Sequence, residues 1–124
     1  MSRCILIVDD EADVQEIAKL GLEMKTDWTV LVASSGADAL RMAAECQPDA
    51  ILLDMMMPEM DGRATLRALK SDLSTQAIPV ILVTAKAQPA NLSDFSDLET
   101  AAIIAKPFRP LRLAADISES LAWS

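Results

Sequence analysis

Five short apolar runs, each closing on a polar or charged residue, alternate with helix-patterned segments from one end of the chain to the other. Ile5-Leu6-Ile7-Val8 is a continuous run of the kind buried on both faces of a sheet, and it stops at Asp9-Asp10. Trp28 to Ala33 reads as a second strand. Ala50-Ile51-Leu52-Leu53 is a third that stops at Asp54, Pro79 to Val83 a fourth that ends at Thr84, and Ala101 to Ala105 a fifth that ends at Lys106-Pro107. Between the first two runs, Val14, Ile17, Ala18, Gly21 and Leu22 fall at helical spacing. Ser34-Ser35-Gly36 offers N-cap chemistry to a second helix carrying Ala37, Leu40 and Ala44, which Pro48 ends. A third helix places Leu66, Leu69 and Leu73 on one side, and a last one turns Leu113, Ala114, Ile117 and Leu121 inward. The segment 88–99 is read as a helix of poor propensity, with Leu92, Phe95 and Leu98 on one face. Five strands alternating with five helices require a parallel sheet covered on both faces, so the fold class is α/β, a doubly wound five-stranded sheet.

The 124 residues suffice for one domain, and the expectation is a single domain over 1–124 with no output domain. Just over half of them are apolar, enough for a real core. A net charge of −8 and scarce aromatics argue against nucleic acid or an anionic membrane as a direct partner. The chain has no histidine, which excludes a Ser-His-Asp triad and makes a zinc site improbable. Cys4 and Cys46 are read as isolated thiols, small buried hydrophobes that fit a reducing compartment. No apolar stretch is long enough to span a bilayer, and Met1-Ser2-Arg3-Cys4 lacks a signal-peptide layout, so the expected location is the cytoplasm.

Doubly wound sheets bind ligands beyond the carboxyl ends of their strands. Here those ends carry Asp9 and Asp10, Asp54, Thr84 and Lys106. Three carboxylates in one cleft repel each other, and an oxygen-seeking cation such as Mg²⁺ relieves the repulsion. A lysine and a hydroxyl beside that metal complete a pocket for a phosphoryl group. Asp54 is the best-placed nucleophile, because the middle strand ends at the centre of the cleft. Each residue alone has a plainer explanation: Asp9 or Asp10 as a helix cap, Asp54 as a turn residue, Thr84 as a strand residue, Lys106 as a solvated charge. Their joint arrival at strand tips makes the plain explanation improbable.

These strings resemble the receiver domains of bacterial response regulators over essentially the whole chain. Ile7-Val8-Asp9-Asp10-Glu11 resembles the acidic opening of that family, and Leu52 to Gly62, around Asp54, its phosphoacceptor loop. Val83-Thr84-Ala85 and Ala105-Lys106-Pro107-Phe108 resemble its last two signatures. The resemblance implies a flavodoxin-like sheet of strand order 2-1-3-4-5 and a phosphorylation-dependent switch rather than an enzyme. Asp54 would accept a phosphoryl group from a partner histidine kinase or phosphotransfer protein. Asp10, Asp54 and the backbone carbonyl of Met56 would ligate Mg²⁺, with Asp9 acting through water. Lys106 would bridge to the phosphoryl oxygens, Thr84 would move toward them, and the Lys106–Pro107 peptide would be cis. The signal would leave through the surface of the fourth helix, fifth strand and fifth helix, toward a downstream protein not identifiable from sequence, from a monomer or weak dimer.

The chain departs from the family at Ile103, where a Tyr or Phe switch residue is usual, so the coupling of Thr84 to an aromatic ring is in doubt. Met56 and Lys86 flank the entrance used by a hydrolytic water, which predicts slow self-dephosphorylation. Two alternatives stand beside the switch. One is a small Mg²⁺-dependent phosphohydrolase of the haloacid-dehalogenase kind, although adjacent Asp9-Asp10 and the short chain fit it poorly. The other is a receiver fragment of a larger regulator or hybrid kinase.

Overall fold

The computed structural model describes residues 3–55, 62–84 and 100–123. Five strands, β1 (Cys4–Val8), β2 (Thr29–Ala33), β3 (Ala50–Asp54), β4 (Val80–Thr84) and β5 (Ala102–Ala105), form one parallel sheet of order β2-β1-β3-β4-β5. The described helices are α1 (Ala12–Lys25), α2 (Gly36–Cys46), α3 (Gly62–Ser71) and α4 (Leu113–Ser120), the last preceded by a single 3-10 turn, Pro110–Arg112. This is the flavodoxin-like order expected, with four α-helices among the described residues. The helix expected over 88–99 lies outside them.

Alternation along the strands divides the core into two halves. Leu6, Val8, Ile51, Leu53 and Leu82 point to one face, where Ala39 and Ala43 of α2 and Leu66 and Leu69 of α3 cover them. Ile5, Ile7, Leu52, Ile81 and Val83 point to the other, under Ala18 and Leu22 of α1 and Leu113 and Ile117 of α4. Each such aliphatic side chain removed from water stabilises the fold by about 1.5–3 kcal/mol before entropy is counted. On the second face, α1 meets the 3-10 turn so closely that a Cβ at Gly21 would overlap the Pro110 carbonyl oxygen.

Four expectations about packing need correction. The buried stripe of α2 is Gly36, Ala39 and Ala43, whereas Ala37 and Ala44 are exposed. Leu73 is 85% exposed because α3 ends two residues before it. Ile17 sits at the edge of the α1 stripe and is 48% exposed. Cys46 is exposed rather than buried, and Cys4 is only partly covered. The cap at Ser35 is as read, its hydroxyl accepting the Asp38 N–H at 3.1 Å. At the amino edge of the sheet Trp28 and Trp123 meet edge to face, centroids 5.5 Å apart, with Arg3 stacked 3.9 Å over Trp123.

Candidate functional site

Parallel pairing holds the strand tips level. Val8 lies opposite Ala33 and Leu53, Asp54 opposite Val83, and Thr84 opposite Ala105. The ladders then continue into the candidate residues. The Asp9 N–H donates to the Ala33 carbonyl at 3.1 Å, and the Lys106 N–H to the Thr84 carbonyl at 2.9 Å. Asp9, Asp54, Thr84 and Lys106 are therefore positioned by the backbone ladders of the sheet.

Asp9 and Asp54 are each 3% exposed and Thr84 is 2% exposed, while Asp10 faces solvent. One carboxylate oxygen from each aspartate lies within 4.8 Å of the others. Lys106 Nζ stands 3.0 Å from Asp9 Oδ2 and 3.4 Å from Asp54 Oδ1. Burial acts to lower the Lys106 pKa, but its hydrogen bond to Asp9 and the charges of Asp54 and Asp9 together outweigh burial and raise it. Lys106 is therefore a fixed cation at neutral pH. Three carboxylates against one ammonium leave two formal negative charges, and all the donors are hard oxygens. That donor set fits a divalent, oxygen-seeking cation such as Mg²⁺ and does not suit a thiophilic one.

The structure adds neighbours that the sequence did not single out. Gly62, the first residue of α3, lies against the phosphoacceptor candidate: a Cβ there would come 2.7 Å from the Asp54 carbonyl oxygen and 2.7 Å from Met55 Cα. The Gly62 N–H donates to the Met55 carbonyl at 3.2 Å. A glycine at the end of a loop is commonly a turn residue, so nothing local signals this contact. Gln15 on α1 donates through Nε2 to the Asp9 carbonyl and, at 3.0 Å, to Ser34 Oγ. It ties the β1 tip to the β2 tip, and its signal is tertiary only. Asp9 Oδ1 accepts the Glu11 N–H at 2.9 Å, so this carboxylate anchors the chain just ahead of α1 while its other oxygen meets Lys106.

The Lys106–Pro107 peptide is cis. Ile103, paired with Leu82, is partly buried against the α2–α3 half of the core. Beside the aspartates, Glu11, Val14, Ile17, Lys106, Pro107 and Phe108 line an open groove of about 360 Å³. Met56 and its carbonyl, and Lys86, fall outside the described residues.

The family model of the response regulator receiver domain matches residues 5–118. The chain belongs to that family. It is 36% identical over 121 residues to the phosphate regulon transcriptional regulatory protein PhoB of Pseudomonas aeruginosa, covering 98% of this chain and 52% of that protein. Among solved structures, the signal receiver domain of a histidine kinase from Syntrophus aciditrophicus is 33% identical, with a TM-score of 0.84 over 98% of this chain and 91% of that one. The receiver domain of a Pseudomonas aeruginosa sensor histidine kinase, solved with a magnesium ion coordinated in its active-site cleft, shares the fold at 24% identity. Its TM-score is 0.86, over 98% of this chain and 99% of that one. The chain spans about half, or less, of the length of the curated relatives it matches. Receiver domains are signalling switches of two-component systems that take phosphoryl groups from histidine kinases, and this chain is such a domain. Among the described residues no helix is long and apolar enough to cross a membrane.

Proposed function

We propose that this receiver domain is switched by phosphorylation of Asp54, with Mg²⁺ as cofactor and a partner histidine kinase or phosphotransfer protein as donor. One observation carries the assignment: the buried Asp54 carboxylate lies 3.4 Å from the Lys106 ammonium inside a cluster of three carboxylates at the strand tips. Asp9, Asp10, Asp54 and the Met56 carbonyl are the candidate donors to the cation. Bound there, Mg²⁺ would supply positive charge against the crowded oxygens during transfer. The magnesium in the related Pseudomonas receiver cleft supports the same assignment.

In the transfer, an Asp54 carboxylate oxygen forms a bond to phosphorus as the phosphorus–nitrogen bond of a donor phosphohistidine breaks, and the imidazole leaves with that electron pair. Lys106 leaves its contact with Asp54 to hold a phosphoryl oxygen, and its raised pKa keeps it charged for that task. The Thr84 hydroxyl, carried on a buried strand tip, donates to another oxygen. Movement of Thr84 biases the output surface expected of the fourth-helix segment 88–99, β5 and α4, with Ile103 in place of an aromatic switch. By their place in the sequence, two residues after Asp54 and two after Thr84, an apolar Met56 and a cationic Lys86 would slow attack of water on the acyl phosphate, whose life a Met56→Asn, Lys86→Glu double variant should then shorten. The domain turns over no substrate beyond its own phosphoryl group. It acts in the cytoplasm, as a monomer or weak dimer, on a downstream protein.

The test is incubation with acetyl phosphate or phosphoramidate, with and without Mg²⁺, read by intact mass beside an Asp54→Asn control. One phosphoryl group per chain, dependent on Mg²⁺ and absent from the control, is expected. An adduct that survives in Asp54→Asn, or sustained hydrolysis of a small phosphate ester, would overturn the assignment.

A further inference from the structure

At the amino edge of the sheet, away from the aspartates, the start of β1 and the end of α2 each carry a thiol that the switch does not use. Cys4 precedes Leu6 and Val8 by two and four positions, so alternation turns it to the face that α2 covers. On α2 the residues buried against that face are Ala39 and Ala43. Cys46 follows them at helical spacing and continues the same stripe into the last turn. Because α2 runs back against the strands, its last turn lies at the level where β1 begins.

The backbone fixes the approach from a second direction. Asp49, three residues beyond Cys46, donates its N–H to the Cys4 carbonyl at 2.7 Å, and its Oδ2 accepts the Cys4 N–H at 2.7 Å. Burial first, then the charge of Asp49, then that of Cys46 push the Cys4 thiol pKa up. Their environments differ: Cys46 is exposed and Cys4 partly covered.

We propose that Cys4 and Cys46 are a redox-modification site, closed to an intramolecular disulfide by a hydroperoxide. The exposed Cys46 thiolate attacks the peroxide, the oxygen–oxygen bond breaks, and Cys46 becomes a sulfenic acid as the peroxide's other half leaves as water or an alcohol. Cys4 then attacks the Cys46 sulfur, the sulfur–sulfur bond forms, and the hydroxyl leaves as water with the Cys4 proton. Two thiols are oxidised, and one peroxide is reduced by two electrons. The bridge joins the end of α2 to the start of β1, at the opposite edge of the sheet from Asp54.

The test treats the reduced protein with hydrogen peroxide and alkylates it with N-ethylmaleimide after denaturation. Intact mass and peptide mapping are the readouts. A monomer lighter by two hydrogens (about 2 Da), refractory to alkylation and yielding one cross-linked Cys4–Cys46 peptide is the expected product. Cys46→Ser, folded by far-UV circular dichroism, should leave Cys4 almost fully alkylable. Oxygen adducts on Cys46 beside a free Cys4, bridges only between chains, or no oxidation of either thiol would each overturn the proposal.

Discussion

Gly62 and Lys106 are single residues on which the site depends in opposite ways, one by lacking a side chain and one by filling a charge deficit. A methyl group at position 62 would meet the Asp54 carbonyl oxygen and Met55 Cα, which are backbone and cannot rotate away. Gly62→Ala should therefore cost about 1–3 kcal/mol by overpacking. A lower urea midpoint with an unchanged m-value would register it. The same displacement moves Asp54, so acetyl phosphate should load the variant more slowly, and a variant as stable and reactive as the parent would refute the contact. Lys106 acts through charge. Lys106→Met leaves Asp9 and Asp54, both buried, facing each other without the ammonium. In the absence of metal the loss should be about 3 kcal/mol, the low end for breaking a buried pair from one side, because Lys106 keeps some contact with water. Added Mg²⁺ should then raise the melting temperature of the variant more than that of the parent, because the cation meets a larger uncompensated charge. Calorimetry with and without Mg²⁺ separates this from a packing defect, which metal would not repair.

At the scale of an element, the end of α3 shows how a helix is stopped. Ser71 Oγ donates back to the Arg67 carbonyl, and Asp72 Oδ1 accepts both the N–H and the hydroxyl of Ser74, at 2.9 and 2.8 Å. Lys70 donates to the carbonyls of Gln76 and Ile78, while Gln47 reaches from the end of α2 to the Ser74 carbonyl. The Ser74 backbone bond, followed by its hydroxyl bond, holds the Asp72 pKa below its ordinary 3.8. A folded-state pKa below the unfolded one means stability that is present above pH 3.8 and lost as pH falls through the lowered folded value. Asp72→Ala should therefore be less stable than the parent near neutrality, with the difference vanishing in strong acid. Urea midpoints across that range check it, and a gap that persists below the folded pKa would point to packing instead. This stop is also where sequence reading fell short. Leu73 continues the Leu66–Leu69 spacing, yet the Asp72 turn intervenes and leaves it in water. In α2 the sequence does not reveal the inward phase, because Ala37, Ala39, Ala43 and Ala44 are equally small and apolar and periodicity alone cannot choose among them. The strands and their acidic or basic tips were legible for the converse reason. A run such as Ile5–Val8 followed by two aspartates admits few other structures, and the parallel register carries Asp9, Asp54, Thr84 and Lys106 to one edge. The contacts of Gln15 and Gly62 were not, since each is made by elements distant in sequence or by an absent side chain.

For the molecule as a whole, the two halves of the core leave the sheet's carboxyl edge open, and on the proposed function a donor protein would present its phosphohistidine there. That edge is bordered by the groove of Glu11, Val14, Ile17, Lys106, Pro107 and Phe108, apolar along α1 and charged toward the aspartates. Ile17 is the large side chain there that spends nearly half its surface in water, which costs little to change in the free domain. A small phosphodonor needs only the cluster of Asp9, Asp54 and Lys106, whereas a protein donor must also seat its own surface beside it. Ile17→Glu should therefore leave the stability and the acetyl phosphate reaction close to those of the parent. Transfer from a phosphorylated histidine kinase should slow by about tenfold or more, the effect of losing an apolar contact worth about 1.4 kcal/mol and adding a charge. Stopped-flow or quench-flow transfer from the phosphorylated kinase, run beside acetyl phosphate loading, separates the two. Equal slowing with both donors would mean that Ile17 supports the site itself, and slowing with neither would mean that the donor approaches over a different face.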